Sequence, residues 1–229
     1  MDQKRIRMKK LLNLKQNKSL ILFFLLLINC GLTAQTVENL YINMLDGLNP
    51  TLTKQNRLEL LEYYKAKQGD TITNRFGNQT HLLFFDSIQS CLVVQNTPTS
   101  VFEMKIFNVD SITPAIGIIR TVCSPICQSV VEFYDTAWNS TPIVFTMPKA
   151  TEWIDTANYQ TLNIDRKWVE KEMETGFITL SFNRSDSGII ATNNTLEFLS
   201  DDDRKQIAPL VSNKPILYNF NGKTWIRKP

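Results

Sequence analysis

Cys123 and Cys127 form the pair whose residue types and spacing best suit chemistry in this 229-residue sequence. In a fully extended chain, residues four apart are separated by about 13 Å, which is too far for a disulfide. Ser124-Pro125 between them is typical of a turn that folds the chain back on itself. We therefore predict a short-loop disulfide or two half-buried thiols, with a redox site as the alternative. Redox motifs usually place two residues between the cysteines, and three stand here.

Catalysis by a cysteine needs a base, which is normally a histidine, and the chain has only His81. His81 precedes the apolar run 82–85, where a single histidine beside a strand is usually structural. Cys91 stands in a β-type run and is most simply a small buried apolar residue. A hydrolase would require His81 and a cysteine, or two acids such as Asp110 and Asp135, to converge in one cleft.

Metal and phosphate chemistry find little support in the sequence. One histidine with scattered cysteines is a poor set of zinc ligands. The run Asp201-Asp202-Asp203 offers clustered carboxylates, which calcium prefers, but lacks the spacing and glycine of an EF-hand loop. Ser200 before it and Asp203 within it instead predict the start of a helix. The sequence also has no glycine-rich phosphate loop, and we predict no metal site and no cofactor.

Four tryptophans could line a groove for a carbohydrate or a peptide: Trp138, Trp153, Trp168 and Trp225. Aromatic side chains more often fill cores. Only Trp138 and Trp153 stand in the least regular part of the sequence, and we retain these two as candidate binding residues.

Residues 1–34 indicate a secretory signal peptide. Seven basic residues precede the apolar run 20–28, which is too short to span a bilayer, and the small Ala34 follows. Cleavage after Ala34 would leave Gln35 as the first residue of a periplasmic or secreted protein. The alternative is a lipoprotein signal in which Cys30 is acylated and anchors the chain to the outer membrane. We expect no other attachment to a membrane.

The charge of the chain changes when this leader is removed. The leader holds seven of the 25 basic and one of the 22 acidic residues, which leaves 18 against 21 and a net charge of −3. A mildly acidic chain lacks the positive surface that nucleic acids require, and we exclude them as partners. Residues 35–229 suffice for a single domain, with two small halves as the alternative.

Hydrophobic periodicity predicts the elements that must position these residues. Apolar residues at helical spacing predict two helices, after Thr36 and after Thr53. Short β-type runs with short connections follow, and favour antiparallel pairing. In residues 101–107, apolar side chains alternate with Glu103 and Lys105, the pattern of a sheet with one face in water.

The C-terminal part of the chain has clearer signals than the middle. Residues 142–165 have no regular pattern. A helix is expected from Ser200, and Asn221-Gly222 between two β-type runs predicts a hairpin. The predicted fold class is α+β: an N-terminal helix pair, a mostly antiparallel sheet, one C-terminal helix and a final β-hairpin.

Several segments together resemble a family of exported Bacteroidales-type proteins catalogued only as a domain of unknown function. The likeness lies in the leader ending at Ala34-Gln35, the helix 56–64, the turn 121–125 and the run 129–138, and extends over nearly all of the mature chain. The resemblance implies a Gram-negative envelope or secreted location. It brings no activity, cofactor or catalytic residue.

From these features we predict an exported, non-catalytic envelope or secreted protein. It would bind an unknown partner protein or ligand through a sheet face or through residues 142–165. An extracytoplasmic hydrolase that depends on a thiol or on carboxylates is the second hypothesis. A thiol redox module that uses Cys123 and Cys127 is the third.

Overall fold

The structure is a computed structural model that describes residues 35–110, 113–155 and 164–228. The predicted signal peptide and Cys30 lie outside the described residues. Among the residues described, no helix has the length and apolar character needed to cross a membrane.

Two short helices begin the described chain, as the helical spacing predicts: α1 is Val37–Asn43 and α2 is Lys54–Lys65. Threonine caps both. The Thr36 side chain accepts the Asn39 N–H, and Thr53 and Asn56 form a capping box. The buried face of the pair packs on the sheet that follows.

A fully buried arginine ties the connection between α1 and α2 together. The Arg57 guanidinium donates to the carbonyl oxygens of Leu52 at 2.8 Å and Met44 at 2.6 Å. It also donates to Ile42 at 3.2 Å and pairs with the Asp46 carboxylate at 3.0 Å. These contacts satisfy backbone oxygens that are buried at Leu52 and Met44 and partly buried at Ile42.

Six strands form the first sheet in the order of the sequence, and every neighbouring pair is antiparallel. The connections are too short for parallel crossovers. The strands are β1 Thr71–Thr73, β2 Gln79–Asp86, β3 Cys91–Thr97, β4 Ser100–Asn108, β5 Pro114–Cys123 and β6 Cys127–Tyr134.

A second antiparallel sheet has the order β10-β9-β8-β7. Its strands are β7 Ile178–Phe182, β8 Gly188–Asn193, β9 Ile216–Phe220 and β10 Trp225–Arg227. Two further helices accompany it, α3 Arg166–Glu172 and α4 Asp201–Ile207.

The described residues therefore contain four α-helices and two antiparallel sheets, so the predicted α+β class is confirmed. The final hairpin at Asn221-Gly222 is present, and so is the helix capped by Ser200. The predicted arrangement named one sheet, whereas the structure has two. Residues 135–155 and 164–177, between β6 and β7, contain no strand of either sheet. Strand β7 does not continue the first sheet and packs over its face instead.

Both faces of the central strands of the first sheet are consequently buried. Leu92, Met104 and Ile118 face the helix pair, whereas Ile119 and Phe133 join the core that contains the second sheet. The expectation of a face in water at Glu103 and Lys105 is therefore wrong, because these side chains are 9% and 4% exposed.

Candidate functional site

A cleft of about 620 Å³ lies between α3, the 3₁₀ turn Ala150–Trp153 and the first residues of β6 and β7. Its walls include apolar side chains that are buried or half-buried and polar ones that are half-buried or exposed. The apolar group is Met147, Pro148, Ala150, Met173 and Ile178; the polar group is Gln128, Lys149, Thr151, Glu170, Lys171 and Glu174.

The wall formed by the irregular segment is held in place by a few specific contacts. The Lys149 N–H donates to the Glu152 carboxylate at 2.9 Å, which closes the start of the 3₁₀ turn. The buried Trp153 donates its indole N–H to the Lys214 carbonyl at 2.9 Å. On the far side, a Cβ on Gly176 would lie 3.2 Å from the Ala150 Cβ, so the glycine allows the two segments to approach closely.

The rim of the cleft carries charges of both signs. Glu170 pairs with Arg166 at 2.8 Å. Within the described part of the chain, Lys149, Lys171 and Glu174 form no ion pair. The walls include two methionines, whose flexible, polarizable side chains adapt to irregular ligands. The cleft thus suits a ligand with an apolar body and ionic groups.

A cluster of buried ionisable groups with displaced pKa values lies elsewhere, where the edge of β7 meets the first sheet. The Phe182 N–H donates to the Glu103 carboxylate at 3.0 Å, and the Leu180 N–H donates to the Ser129 hydroxyl at 2.9 Å. The Lys105 ammonium donates to the Asn183 carbonyl at 2.6 Å. Side chains of the first sheet thus accept N–H groups of β7 that would otherwise pair with a neighbouring strand.

Burial dominates the ionisation of this inter-sheet cluster of Glu103, Lys105 and Cys91. It raises the pKa of Glu103 to about 7 and that of the Cys91 thiol to about 11. It lowers the pKa of the Lys105 ammonium. Each shift disfavours the charged form, as expected for groups removed from water. The cluster joins the two sheets and does not line the cleft.

His81 makes a contact between two strands. The Thr71 hydroxyl donates to the Asp70 carboxylate at 2.8 Å and lies 2.8 Å from Nδ1 of His81, so that nitrogen acts as the donor. His81 lies opposite Gln95 on β3, whereas Cys91 is four residues further along that strand, about 13 Å away. Within the described ranges, the structure does not bring His81 together with a free thiol.

Asp110 and Asp135, the two acids considered for a carboxylate mechanism, each accept hydrogen bonds from backbone N–H groups of the turn in which they stand. Asp110 accepts the Thr113 N–H at 2.7 Å. Asp135 accepts the N–H groups of Ala137 and Asn139. Hydrogen bonds from Asn139 hold the pKa of Asp135 below its usual range.

Cys123 and Cys127 form a disulfide across the β5–β6 hairpin, where they are direct partners with Cα atoms 3.8 Å apart. The side chains of the candidate binding residues Trp138 and Trp153 do not line the cleft. Trp138 is half-buried against the Tyr134 ring, at 6.1 Å between centroids. Trp153 is a core residue that also borders a hollow of about 370 Å³ beside Lys214.

The side chains of the cleft were not identifiable from their types. Lys149, Lys171 and Glu174 resemble ordinary surface charges, and the methionines resemble core residues. The one available signal was the lack of a regular pattern in residues 142–165, which contribute Met147 to Thr151 to the wall.

Together the fold and the cleft define a mixed α+β protein in which a four-stranded sheet packs on the face of a six-stranded one. Residues 29–225 match the family model described as "Protein of unknown function (DUF3256)", and the chain belongs to that family. The predicted resemblance to a family known only as a domain of unknown function is confirmed. Export stays a prediction.

One solved structure has a similar fold. It is described as a domain of an uncharacterized protein from Porphyromonas gingivalis W83, and has a TM-score of 0.69 and 15% sequence identity. The similarity covers 84% of this chain and 97% of that chain. At this identity the likeness shows the fold alone. A search of curated proteins found no match.

Proposed function

We propose that this chain is an exported, non-catalytic protein of the Gram-negative envelope or the secreted space. It binds a peptide segment of a partner, or a ligand of similar chemistry, in the cleft beside α3. The observation that carries the proposal is the combination of an apolar wall with charges of both signs that form no ion pair with the residues described. Met173 and Ile178 supply apolar surface, while Lys149, Lys171 and Glu174 stand at the rim.

The size and chemistry of the cleft support a short peptide as the ligand class. A volume of about 620 Å³ lies within the usual range of ligand sites. A peptide brings apolar side chains for the wall and both carboxylate and ammonium groups for the rim. Charged hydrogen bonds of this kind contribute about 1.5–3 kcal/mol each when the site excludes water.

The placement of the displaced pKa values supports a non-catalytic role. Catalytic acids and bases usually stand in a cleft, where their pKa values are tuned to the reaction. Here Glu103, Lys105 and Cys91 are buried between the sheets, and the first two bind backbone groups of the second sheet. The thiols of Cys123 and Cys127 are joined to each other.

Binding is tested with an array of labelled heptapeptides and two charge reversals on one helix. Lys171→Glu removes a cation at the rim, whereas Lys167→Glu changes an exposed residue of α3 that does not line the cleft. We expect Lys171→Glu to weaken the best peptides about tenfold and Lys167→Glu to leave them unchanged. Equal effects of the two variants, or no binding peptide in the array, would refute the proposal.

Export rests on the leader and is tested by mass spectrometry of the native N terminus. Cleavage after Ala34 gives a chain that begins at Gln35 and is soluble in the periplasm or medium. An acylated Cys30 as first residue gives the outer-membrane-anchored form. Recovery of the uncut chain from the cytosol would overturn the proposal of export.

A further inference from the structure

Strand β7 is bound to the first sheet through hydrogen bonds between its backbone and side chains of that sheet. On the edge opposite β8, the Leu180 N–H donates to the Ser129 hydroxyl of β6 at 2.9 Å. The Phe182 N–H donates to the Glu103 carboxylate of β4 at 3.0 Å. Lys105 donates to the carbonyl that follows β7 at 2.6 Å. Three side chains of the first sheet therefore fix the position of this edge.

The cleft beside α3 lies at one end of this contact between the sheets. Gln128, which lines the cleft from β6, immediately precedes Ser129. Ile178, which lines the cleft from β7, stands two residues before Leu180. A movement of β7 away from the first sheet would therefore separate two walls of the cleft.

Glu103 is the acid among these contacts, and it is poorly placed to carry a charge. Its side chain is 9% exposed and forms no ion pair within the described part of the chain. An ionised carboxylate between the sheets is costly, whereas the neutral carboxyl can still accept the Phe182 N–H through its carbonyl oxygen. Burial accordingly raises the pKa of Glu103 to about 7.

The groups that surround Glu103 do not remove this cost. Its direct partners on the neighbouring strands are the apolar Val93 and Ile119, and Lys105 binds the carbonyl after β7. Arg184, just after β7, lies over an aromatic ring of β2 and lowers the pKa of Glu103 by less than burial raises it. The other titratable or charged groups near the cluster are Cys91 of β3, Asp86 of β2, and Asp186, which pairs with Lys228.

We propose that Glu103 is a pH-sensitive switch between the two sheets. Its protonated form keeps β7 packed on the first sheet and the cleft formed. The ionised form favours a state in which the carboxylate is in water and β7 has moved away, so that Gln128 and Ile178 separate. The proton passes to water, and no other covalent bond changes. The effect on ligand binding rests on the proposed function of the cleft, whereas the movement of β7 does not.

Amide hydrogen exchange of the wild type tests the movement of β7. The pKa of Glu103 is about 7 in the packed state and near the ordinary value of 4.5 once the carboxyl is in water. Opening therefore becomes about tenfold more favourable between pH 6 and pH 8. After correction for the intrinsic effect of pH on exchange, we expect the protection of the Leu180 and Phe182 amides to fall about tenfold.

The central amides of the first sheet show whether this opening is local. Leu92 and Val94 lie on β3 between two paired strands, and we expect them to exchange more slowly, through global unfolding. The proposal is wrong if Leu180 and Phe182 exchange only as slowly as these two amides, because β7 then does not open separately.

Two matched substitutions assign the effect to one carboxyl group. Glu103→Gln keeps an oxygen for the Phe182 N–H and cannot ionise, so its protection at Phe182 should be the same at pH 6 and pH 8. Glu62→Gln changes an exposed residue of α2 and should behave as the wild type. A tenfold fall that persists in Glu103→Gln would assign the pH dependence to Lys105 or Cys91 and overturn the proposal.

The link to the cleft is tested with the best heptapeptide of the array, acetylated and free of histidine so that it does not titrate. At pH 8 and a hundred times its Kd, a peptide that binds only the packed state should increase the protection of Leu180 and Phe182 about a hundredfold. Increased protection of Leu92 and Val94 alone would show that the cleft binds ligand without β7 and would refute the link. If no heptapeptide binds, the proposed function fails, and exchange without ligand still decides whether Glu103 controls β7.

Discussion

Replacing Glu103 by glutamine should make the stability of the protein less sensitive to pH. The Glu103 carboxylate is 9% exposed, and it accepts the Phe182 N–H at 3.0 Å across the two sheets. Burial raises its pKa to about 7, and the hydrogen bond from Phe182 and the charge of Arg184 oppose this shift. Lys105 and Cys91 lie in the same cluster. Both are retained in the wild type and in the glutamine variant, so they contribute little to the difference in pH dependence between the two proteins.

The size of the effect follows from the difference in proton binding between the two states. The unfolded carboxyl releases its proton near pH 4.5, whereas the folded one holds it to about pH 7. Between these values the folded state binds more protons, so the free energy of unfolding falls as the pH rises. From pH 5 to pH 8 the contribution of this group to the free energy of unfolding falls by about 2–3 kcal/mol.

Glutamine retains an oxygen that can accept the Phe182 N–H and has no proton to release in this range. Urea unfolding of the wild type and of Glu103→Gln, followed by tryptophan fluorescence at pH 5 and pH 8, measures the difference. We expect the wild type to lose about 2–3 kcal/mol more than the variant between the two pH values. Glu174→Gln, at an exposed rim position, is the control and should follow the wild type.

The reasoning is refuted if wild type and Glu103→Gln lose the same free energy between pH 5 and pH 8. A parallel loss would mean that the carboxyl is solvated in the folded state and that the contact of β7 with the first sheet is open to water.

Three further predictions concern the stability of the fold. Arg57→Lys should lower the free energy of unfolding by about 2–3 kcal/mol, because an ammonium cannot reach all the carbonyls that the guanidinium holds; a loss below 1 kcal/mol in urea titration would contradict this. Gly117→Ala should cost about 1–3 kcal/mol, since the new Cβ would lie 2.6 Å from the Phe182 ring, and an unchanged Tm would argue against the close packing. Replacing both Cys123 and Cys127 by serine should cost about 2 kcal/mol through loop-closure entropy, and the reduced wild type should unfold at the same urea concentration as this variant.

The sequence correctly predicted the final hairpin and the start of α4, because the hydrogen bonds that form them join residues a few positions apart. Asn221 accepts the N–H groups of Lys223 and Thr224, which closes the hairpin within four residues. Ser200 accepts the Asp203 N–H at 3.2 Å and so begins α4. Such contacts need no knowledge of the rest of the chain.

The alternating pattern of β4 correctly predicted which side chains lie on the same face of the strand. The prediction that this face lies in water was wrong. Glu103 and Lys105 lie on one side of the strand, as the period of two requires. Their partners are the Phe182 N–H and the Asn183 carbonyl, nearly eighty residues away. A strand whose polar side chains are in water and a strand whose polar side chains bind the edge of another sheet show the same alternation in the sequence.

By itself, the sequence determined the α+β class, the antiparallel pairing and the turn chemistry, since these depend on neighbours within a few residues. Only the tertiary structure decided that there are two sheets, that the polar face of β4 is buried, and that Gln128, Met147 and Lys171 meet in one cleft. The physical reason is that burial and cleft formation depend on which distant surfaces come together. The spacing of residues within a single segment does not predict which distant surfaces these will be.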